Sequence, residues 1–567
     1  MKLSFSLLNT TISLMFLTLG ACGGSQGFGT ETTSSSSISA QNTDVESYYT
    51  TTKFEGGAVS DITFEDDTNE EVIDFADVTK DEKYIVALYS YSDDETTHAF
   101  EIKAPDVKTL PLANQEKALT LDIMEESTEN FHDQLRVLEN ELPQQSEEVI
   151  GTMKAATKKY NPSVGSARTF KVISSLSKKS YTSADAVLKY KTDHFLFWVD
   201  SRDDAEGVLS DAEIATICEN FEEQIPNITT LFGEPADIDG DGRFNIFMSR
   251  LVNAMSNSSG GSGIITGFFY GNDQILGDNA SSNETDILYA LRPDASGTYG
   301  STISKSFTLS NVLPSVLRHE FQHMINFNQH HFLNKGDTEI SSLNEGLSHL
   351  AEDTISVDDD LYMTKASIEN PSRVARYLEN PQDICITCGS SLKQRGAMYL
   401  LLRYLYEQSE RGTFYNPAQI KITGYAGPQS GAEFINRIMS SPLTGVDNIA
   451  HAVFGDVNDS GEMFAKLLGQ FSLAVLLSDT SLSDNNQYQF FGINLRSDNQ
   501  EDHRGTDVQG PAVMLFEGNE SFTATIGGAS IGFIEMTGTQ IEALGGSINI
   551  QLPEGAHGGV YIVQTAE

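Results

Sequence analysis

The sequence His319-Glu320-Phe321-Gln322-His323 constrains the fold of this chain more than any other feature. Residues four apart share one face of an α-helix, so His319 and His323 point the same way with Glu320 beside them. Two neutral imidazoles at this spacing can bind one Zn²⁺, and the carboxylate between them can take a proton from metal-bound water. A surface helix with two solvated histidines is the alternative. An apolar stripe predicts instead that one side of this helix is buried: Val316, Leu317, Phe321, Met324 and Ile325.

A second segment, Asn344–Asp353, offers the further ligand that a divalent metal needs. Glu345 lies 22 residues after His323, which is enough chain to turn and bring a second helix back. On a helix, Glu345, His349 and Glu352 fall at i, i+4 and i+7, on one face. A buried face with two carboxylates and an imidazole is costly unless a positive charge lies nearby. The pattern predicts a zinc site in which Glu345 joins the two histidines and water takes the fourth position.

The segments HEFQHMINF and LNEGLSHLAED resemble the gluzincin metallopeptidases, and within that group the hyicolysin family. The third zinc ligand of gluzincins is a Glu on a second helix. The resemblance implies an α+β fold with a thermolysin-like (gluzincin) catalytic domain, made of a mixed strand and loop half and a helical half, flanked by small β-rich domains. It also implies that His319, His323 and Glu345 bind zinc and that Glu320 is the catalytic base.

The resemblance also concerns the groups around the ligands. Glu352 occupies the position at which aminopeptidase-type gluzincins carry a Glu that orients a ligand histidine, and such carboxylates fix the imidazole tautomer. Thermolysin-like members carry Asp four residues after the ligand Glu, where this sequence has His349. We therefore expect Glu352 to orient a ligand histidine, with His349 beside it.

The donor that stabilises a tetrahedral oxyanion is a Tyr or His in this family. Tyr399 and His451 are candidates, and ordinary packing within helices is the alternative for both. The aminopeptidase-type Tyr would align near Lys393, which departs from the family pattern. By resemblance, the strand predicted at Asp286–Leu291 is the edge strand that pairs with the substrate backbone.

A metzincin site, HExxHxxGxxH, is a rival arrangement because His330 and His331 follow the motif closely. Its glycine position is Asn326 and its third histidine position is Gln329. A histidine one residue out of register would lie about 100° around the helix. The register therefore disfavours a metzincin.

Composition restricts the partners of this chain. Its 36 Lys and Arg against 80 Asp and Glu give a net charge of −44, which disfavours nucleic acid and anionic lipid surfaces. Thirty-nine per cent apolar residues are enough to form a core, and 567 residues are too many for a single one. A folded protein of several domains is expected.

The N-terminus predicts export. Met1-Lys2 is followed by an apolar region, Leu3–Leu19, too short and too early to span a membrane in the mature protein. The sequence Leu19-Gly20-Ala21-Cys22 resembles a bacterial lipobox, which implies a signal peptide over residues 1–21 and lipid attachment at Cys22. An ordinary signal peptide cut nearby is the alternative. A Ser-, Thr- and Gly-rich tether follows to residue 47, so a lipid anchor is the expected membrane contact of an outer-membrane or cell-surface lipoprotein.

Three further cysteines remain. In an exported chain, Cys385 and Cys388 are expected to form a small disulfide loop, because a lone CxxC lacks the second pair of a zinc ribbon. Cys218 lies in an apolar helical pattern and is expected to be a buried free thiol.

Changes in pattern divide the rest of the chain. Alternating runs predict a small β domain over residues 48–110, and a charged helical pattern predicts a connector or an inhibitory pro-region over residues 111–180. Residues 181–488 are assigned to the metallopeptidase domain. Residues 489–567 are Gly-rich with short alternating runs, which predicts a C-terminal β-rich accessory domain.

An acidic loop precedes the strand predicted at Phe244–Met248. Asp237, Asp239 and Asp241 match the first ligands of a calcium loop, but Met248 stands where the closing Glu would be. A tight Asp/Gly turn fits equally well, so calcium and a turn both remain open.

These features together predict a zinc-dependent peptidase that hydrolyses extracellular proteins or peptides. The alternative is a surface-anchored binding protein that keeps the metal site as a relic, or a calcium-stabilised adhesin. The intact Glu320 favours the enzyme, since a structural metal site has no need of a base.

Overall fold

A computed structural model describes residues 51–54, 59–62, 69–93, 97–105, 126–145, 160–258, 264–277, 281–354, 370–411, 427–497, 508–517, 520–553 and 555–566. Residues 49–567 form one compact unit. The predicted signal peptide, Cys22 and the tether lie outside the described residues. Within the described ranges, no helix has the length and apolarity of a membrane span.

The structure alternates short strands with helices. The strands are β1 (Thr51–Phe54), β2 (Val59–Ile62), β3 (Glu70–Phe75), β4 (Lys83–Tyr91), β5 (Thr97–Lys103), β6 (Ala167–Ser175), β7 (Ser180–Lys191), β8 (Phe195–Asp200), β9 (Phe244–Met248), β10 (Gly267–Phe269), β11 (Ile287–Ala290), β12 (Met514–Leu515), β13 (Ser521–Gly527), β14 (Ala529–Thr537), β15 (Ser547–Gln551) and β16 (His557–Ala566). The helices are α1 (Glu126–Asn140), α2 (Ser201–Ala205), α3 (Asp211–Glu222), α4 (Ile225–Phe232), α5 (Arg250–Ser258), α6 (Lys305–Phe307), α7 (Leu313–Phe327), α8 (Ser341–Glu352), α9 (Asn370–Leu378), α10 (Leu392–Arg411), α11 (Gly431–Met439), α12 (Gly445–Phe454), α13 (Ser460–Leu477) and α14 (Gly538–Ala543).

A six-stranded sheet in the order β10-β11-β9-β8-β7-β6 forms one half of the region around the motif helix. Every residue of β8, β9 and β11 is buried, which explains their continuous apolar sequences. Alternate residues face two cores. Phe197 packs with α7 and the helical half, whereas Trp198 packs on the opposite face with α5.

The helical half consists of α7 to α13, and its apolar residues form one continuous core with the facing side of the sheet. The stripe predicted around the motif is buried, since Leu317, Phe321, Met324 and Ile325 are each no more than 1% exposed. Helices and sheets in one unit agree with the α+β class. Cys385 and Cys388 form a disulfide, and Cys218 is a buried free cysteine.

The strands from the two ends of the chain form a single β-sandwich. Its sheets have the orders β1-β3-β15-β5-β13 and β12-β14-β4-β16-β2, so early and late strands alternate in both. The two separate domains predicted at 48–110 and 489–567 are therefore wrong. The reason is that the strands pair across hundreds of residues, which short alternating runs do not reveal.

Two further boundaries need correction. Residues 111–180 were predicted to be helical, but β6 and the first residue of β7 fall in that range and belong to the six-stranded sheet. The strand predicted at Asp286–Leu291 is β11, which is an inner strand. The edge position belongs to β10, which pairs with β11 antiparallel and is too short to stand out in the sequence.

Candidate metal centre

Helices α7 and α8 bring the predicted metal ligands together. The Nε2 atom of His319 lies 3.1 Å from Nε2 of His323 and 3.3 Å from Oε2 of Glu345. The Nε2 atom of His323 lies 3.5 Å from Oε1 of Glu345. Tetrahedral zinc with bonds of about 2.0–2.2 Å separates its ligand atoms by roughly 3.3–3.5 Å. The three side chains thus have the spacing of ligands around one ion.

The other ring nitrogen of each histidine has a specific partner. Nδ1 of His319 lies 2.9 Å from Oε1 of Glu352, and Nδ1 of His323 lies 2.8 Å from Oδ1 of Asn344. The same Glu352 oxygen lies 2.7 Å from Nδ1 of His349. Acceptors at Nδ1 favour the tautomer whose Nε2 lone pair is available to a metal. Glu352 and His349 therefore lie where the sequence analysis expected them.

Buried polar atoms at this centre lack ordinary partners. Neither carboxylate oxygen of Glu345 accepts a hydrogen bond, although Nη1 of Arg395 lies 2.7 Å from Oε2 without hydrogen-bond geometry. Oε2 of Glu320 is also buried without a donor. Such carboxylate oxygens are costly to bury unless a cation compensates them. Two imidazoles and a carboxylate are a donor set that fits zinc.

The pKa values of these groups follow from burial and from the neighbouring charges. Burial opposes charge on His319, but Glu345 and Glu352 outweigh it and raise the pKa of His319 to about 9. Burial would raise the pKa of Glu345, yet Arg395 and His323 hold it well below its usual range. Burial lowers the pKa of His323 to about 4. An ionised Glu345 and a neutral His323 are the forms that bind metals.

Glu320 lies in the same buried pocket, against the edge strand. A Cβ at Gly267 of β10 would lie 3.3 Å from Cγ of Glu320 and 2.7 Å from the carbonyl oxygen of Tyr289, so this close approach requires glycine. Burial raises the pKa of Glu320 to about 7, against the opposing effect of His319. A carboxyl group with a pKa near neutrality is suited to accept and release a proton.

The packing of α8 against α10 positions Glu345. A Cβ at Gly346 would lie 2.4 Å from Cγ of Met398 and 2.9 Å from Cδ1 of Leu402. The absence of a side chain therefore lets α10 approach the residue next to Glu345. This approach also places Arg395 of α10 beside the Glu345 carboxylate.

Helix α1 contributes groups that the sequence analysis did not single out. Nδ1 of His132 lies 3.9 Å from Oε1 of Glu345, and His132, His323 and Glu345 can together hold a metal ion. Arg136, one turn further along, is also buried. The available signal was the spacing of His132, Arg136 and Glu139 at i, i+4 and i+7 on the apolar side of a helix.

The two candidate oxyanion donors lie elsewhere. The hydroxyl of Tyr399 donates to Oδ2 of Asp353 at 2.6 Å, inside a buried network with Arg403. His451 lies on α12 with its side chain 40% exposed, 3.4 Å from the exposed Asp456. The structure therefore brings neither residue into the buried metal centre.

The acidic loop brings its carboxylates together. One oxygen from each of Asp237, Asp239 and Asp241 lies within 4.8 Å of the others. Asp239 is 5% exposed, its Oδ2 accepts from Thr285, and its Oδ1 is buried without a donor. Burial raises the pKa of Asp241 to about 7, and the neighbouring carboxylate of Asp239 adds to this. Burial likewise raises the pKa of the nearby Asp286 to about 7.

The fold and the site together define a candidate metal-dependent hydrolase, in which two histidines and a glutamate converge beside a buried acid. No protein-family model matches the chain. Among curated proteins, the chain is similar to the neutral metalloprotease ShpI of Staphylococcus hyicus, with 28% identity over 170 residues, 30% of this chain and 35% of that protein. The chain thus matches about a third of the length of this relative. The similarity supports a relationship to metallopeptidases.

Replacing Glu352 by Ala is expected to weaken zinc binding about 10- to 100-fold, because His319 and His349 lose their shared acceptor. Zinc affinity is measured by competition with a chromogenic chelator. Glu379, exposed in the turn after α9, provides the control: Glu379→Ala should bind zinc as the wild type does. Equal affinity in both variants would contradict the orienting role of Glu352.

Proposed function

We propose that this protein is a zinc-dependent peptidase of the gluzincin type, which hydrolyses peptide bonds in extracellular proteins or peptides. One observation carries the proposal. The Nε2 atoms of His319 and His323 and the carboxylate of Glu345 lie 3.1–3.5 Å apart, in a buried pocket that also holds Glu320. The similarity to a neutral metalloprotease supports it independently.

The side chains divide the work as follows. His319, His323 and Glu345 would hold zinc, and Glu352 and Asn344 would orient the two imidazoles. Zinc bound there lowers the pKa of water towards about 7 and polarises a carbonyl group.

Glu320 would take a proton from the attacking water and pass it to the leaving amine. The residues around Glu320 exclude bulk solvent, since its side chain is 1% exposed. This burial keeps the carboxyl pKa near neutrality, where one group can serve both steps.

Metal analysis and hydrolysis of casein test the proposal together. The protein without its first 22 residues should contain one equivalent of zinc. Its casein hydrolysis should stop with a chelator and resume when zinc is added. Zinc binding without hydrolysis in any variant would favour the catalytically inactive binding protein instead. Calcium-dependent melting without zinc binding would favour the adhesin.

We also propose that the protein is an exported lipoprotein anchored through Cys22. The sequence Leu19-Gly20-Ala21-Cys22 and the disulfide between Cys385 and Cys388 support this, since disulfides persist in oxidising compartments. Wild-type protein should partition into detergent, whereas Cys22→Ala should stay in the aqueous phase. Aqueous partitioning of both would contradict the anchor.

The loop of Asp237, Asp239 and Asp241 is proposed as a calcium site that stabilises the fold. The unpartnered, buried Oδ1 of Asp239 supports this, because a cation would satisfy it and reduce carboxylate repulsion. Main-chain contacts support it as well: Asp237 accepts from the Gly242 amide, which closes the loop around the carboxylates.

This site predicts how stability depends on pH. The folded-state pKa values of Asp241 and Asp286, about 7, exceed the ordinary value of 3.8, so unfolding releases protons between these pH values. Without calcium, the melting temperature should fall as the pH rises from about 4 to about 7. Calcium should restore it at pH 8.

The measurement is thermal unfolding at fixed zinc, with and without added calcium. Asp241→Asn removes one of the repelling charges and one calcium ligand, so its melting temperature should change less with both pH and calcium. Equal melting temperatures of the wild type with and without calcium at pH 8 would rule the calcium site out.

A further inference from the structure

Helix α1 lies in the cleft between the two halves of the catalytic region. On one side it contacts the edge strand and the turn after it: Phe131 packs edge-on against Phe268, and Glu139 accepts from the Gly271 amide at 2.6 Å. On the other side it contacts the helical half. The contacts with that half run from Asp133 to Ser341 and Ser390, and from Asn140 to the amide of Thr338.

The inner face of α1 is charged and directed at the metal centre. His132, Arg136 and Glu139 are 9%, 3% and 1% exposed. Nδ1 of His132 has no hydrogen-bond partner and lies 3.9 Å from Oε1 of Glu345. Burying three ionisable groups is costly, so their position indicates that they have partners at the centre.

Arg136 occupies the sheet edge at the same time. Its Nη2 donates to the carbonyl oxygen of Phe269 at 2.9 Å, and the Phe269 amide bonds to Glu320. An extended peptide that binds a sheet edge uses these main-chain groups. Arg136 therefore holds an acceptor that a substrate strand would need.

We propose that α1 is an intramolecular inhibitor of this centre, an inference that rests on the proposed peptidase function. His132 would be the fourth protein ligand of zinc, beside His319, His323 and Glu345. Four protein ligands close a zinc site, whereas catalysis needs one position open for water. Arg136 blocks the substrate edge, and Asp133 and Asn140 hold the helix across the cleft. Activity then requires α1 to leave.

The test compares His132→Ala and the double variant His132→Ala/Arg136→Ala with wild type, in the full chain without its first 22 residues. Hydrolysis of a fluorogenic peptide by zinc-loaded His132→Ala should be about tenfold faster or more, and the double variant faster still. Val137, which is 61% exposed on the outer face of α1, provides the control Val137→Ala with an unchanged rate.

Cobalt substitution gives a second readout. The visible spectrum of Co²⁺ reports its ligand number and geometry, so His132→Ala should change it while Val137→Ala should not. A rate that is unchanged or lower in His132→Ala, with a wild-type cobalt spectrum, would overturn the inhibitor and make α1 a wall of the working site. If no variant hydrolyses peptides, the peptidase proposal fails, and the cobalt spectrum alone decides whether His132 is a ligand.

Discussion

Glu320→Gln is expected to lower kcat/KM for peptide hydrolysis by about 10²–10⁴ while one equivalent of zinc stays bound. Gln has nearly the same shape but can neither accept nor carry the proton of the attacking water. The effect is measured in the wild-type and His132→Ala backgrounds, so that an inhibited starting enzyme cannot hide it. Zinc content is measured on the same samples.

Glu339 provides a matched control for this prediction. It is fully buried, burial raises its pKa to about 7, and it accepts from Asn448 and the Gly445 amide. Glu339→Gln should therefore change stability more than hydrolysis. Equal rates for Glu320→Gln and its parent protein would end the proposal of a catalytic base.

Arg403→Met is expected to lower the free energy of unfolding by about 3–5 kcal/mol, because it leaves buried carboxylates without their cation. Arg403 is fully buried and donates to Asp353 at 2.7 Å and to Glu407 at 2.5 Å. Asp353 ends α8, and Glu407 accepts from the amides of Phe491 and Gly492. The network thus joins the helix of the third ligand to the chain that follows α13.

Urea unfolding compares this variant with Lys466→Met on α13. Lys466 is 44% exposed and pairs with Glu462 one turn away, so its loss should cost no more than about 0.5 kcal/mol. Arg403→Lys keeps the charge but not the two-pronged geometry and should fall between the two. A small effect of Arg403→Met would show that Asp353 and Glu407 take up protons or solvent at little cost.

The metal centre was the most predictable part of the molecule, because its geometry is local. The i, i+4 spacing places His319 and His323 together, and one turn of chain returns Glu345 to them. Residue types also suggested the partner of His319, Glu352. Asn344, which contacts His323, carries no charge and was not distinguishable from any polar helix residue.

Contacts between distant segments were not predictable. Arg136 reaches Phe269 across 133 residues, and Asn140 reaches Thr338 across 198, so the role of α1 is not contained in its own sequence. Tyr399 illustrates a related limit. Its position in an apolar helix left open whether its hydroxyl faced a site, and the side chain of Asp353 took it instead.

The interleaved sandwich has a consequence for synthesis and for truncation. Strand β16 lies between β2 and β4, and Thr565 near the C-terminus donates to the carbonyl of Lys83, 482 residues earlier. Neither sheet can be completed until almost the whole chain has been made, so the early strands must wait with unpaired edges. A stop codon that removes only the last ten residues would therefore leave a nascent protein that chaperones and proteases recognise, even though every residue of the metal centre is present.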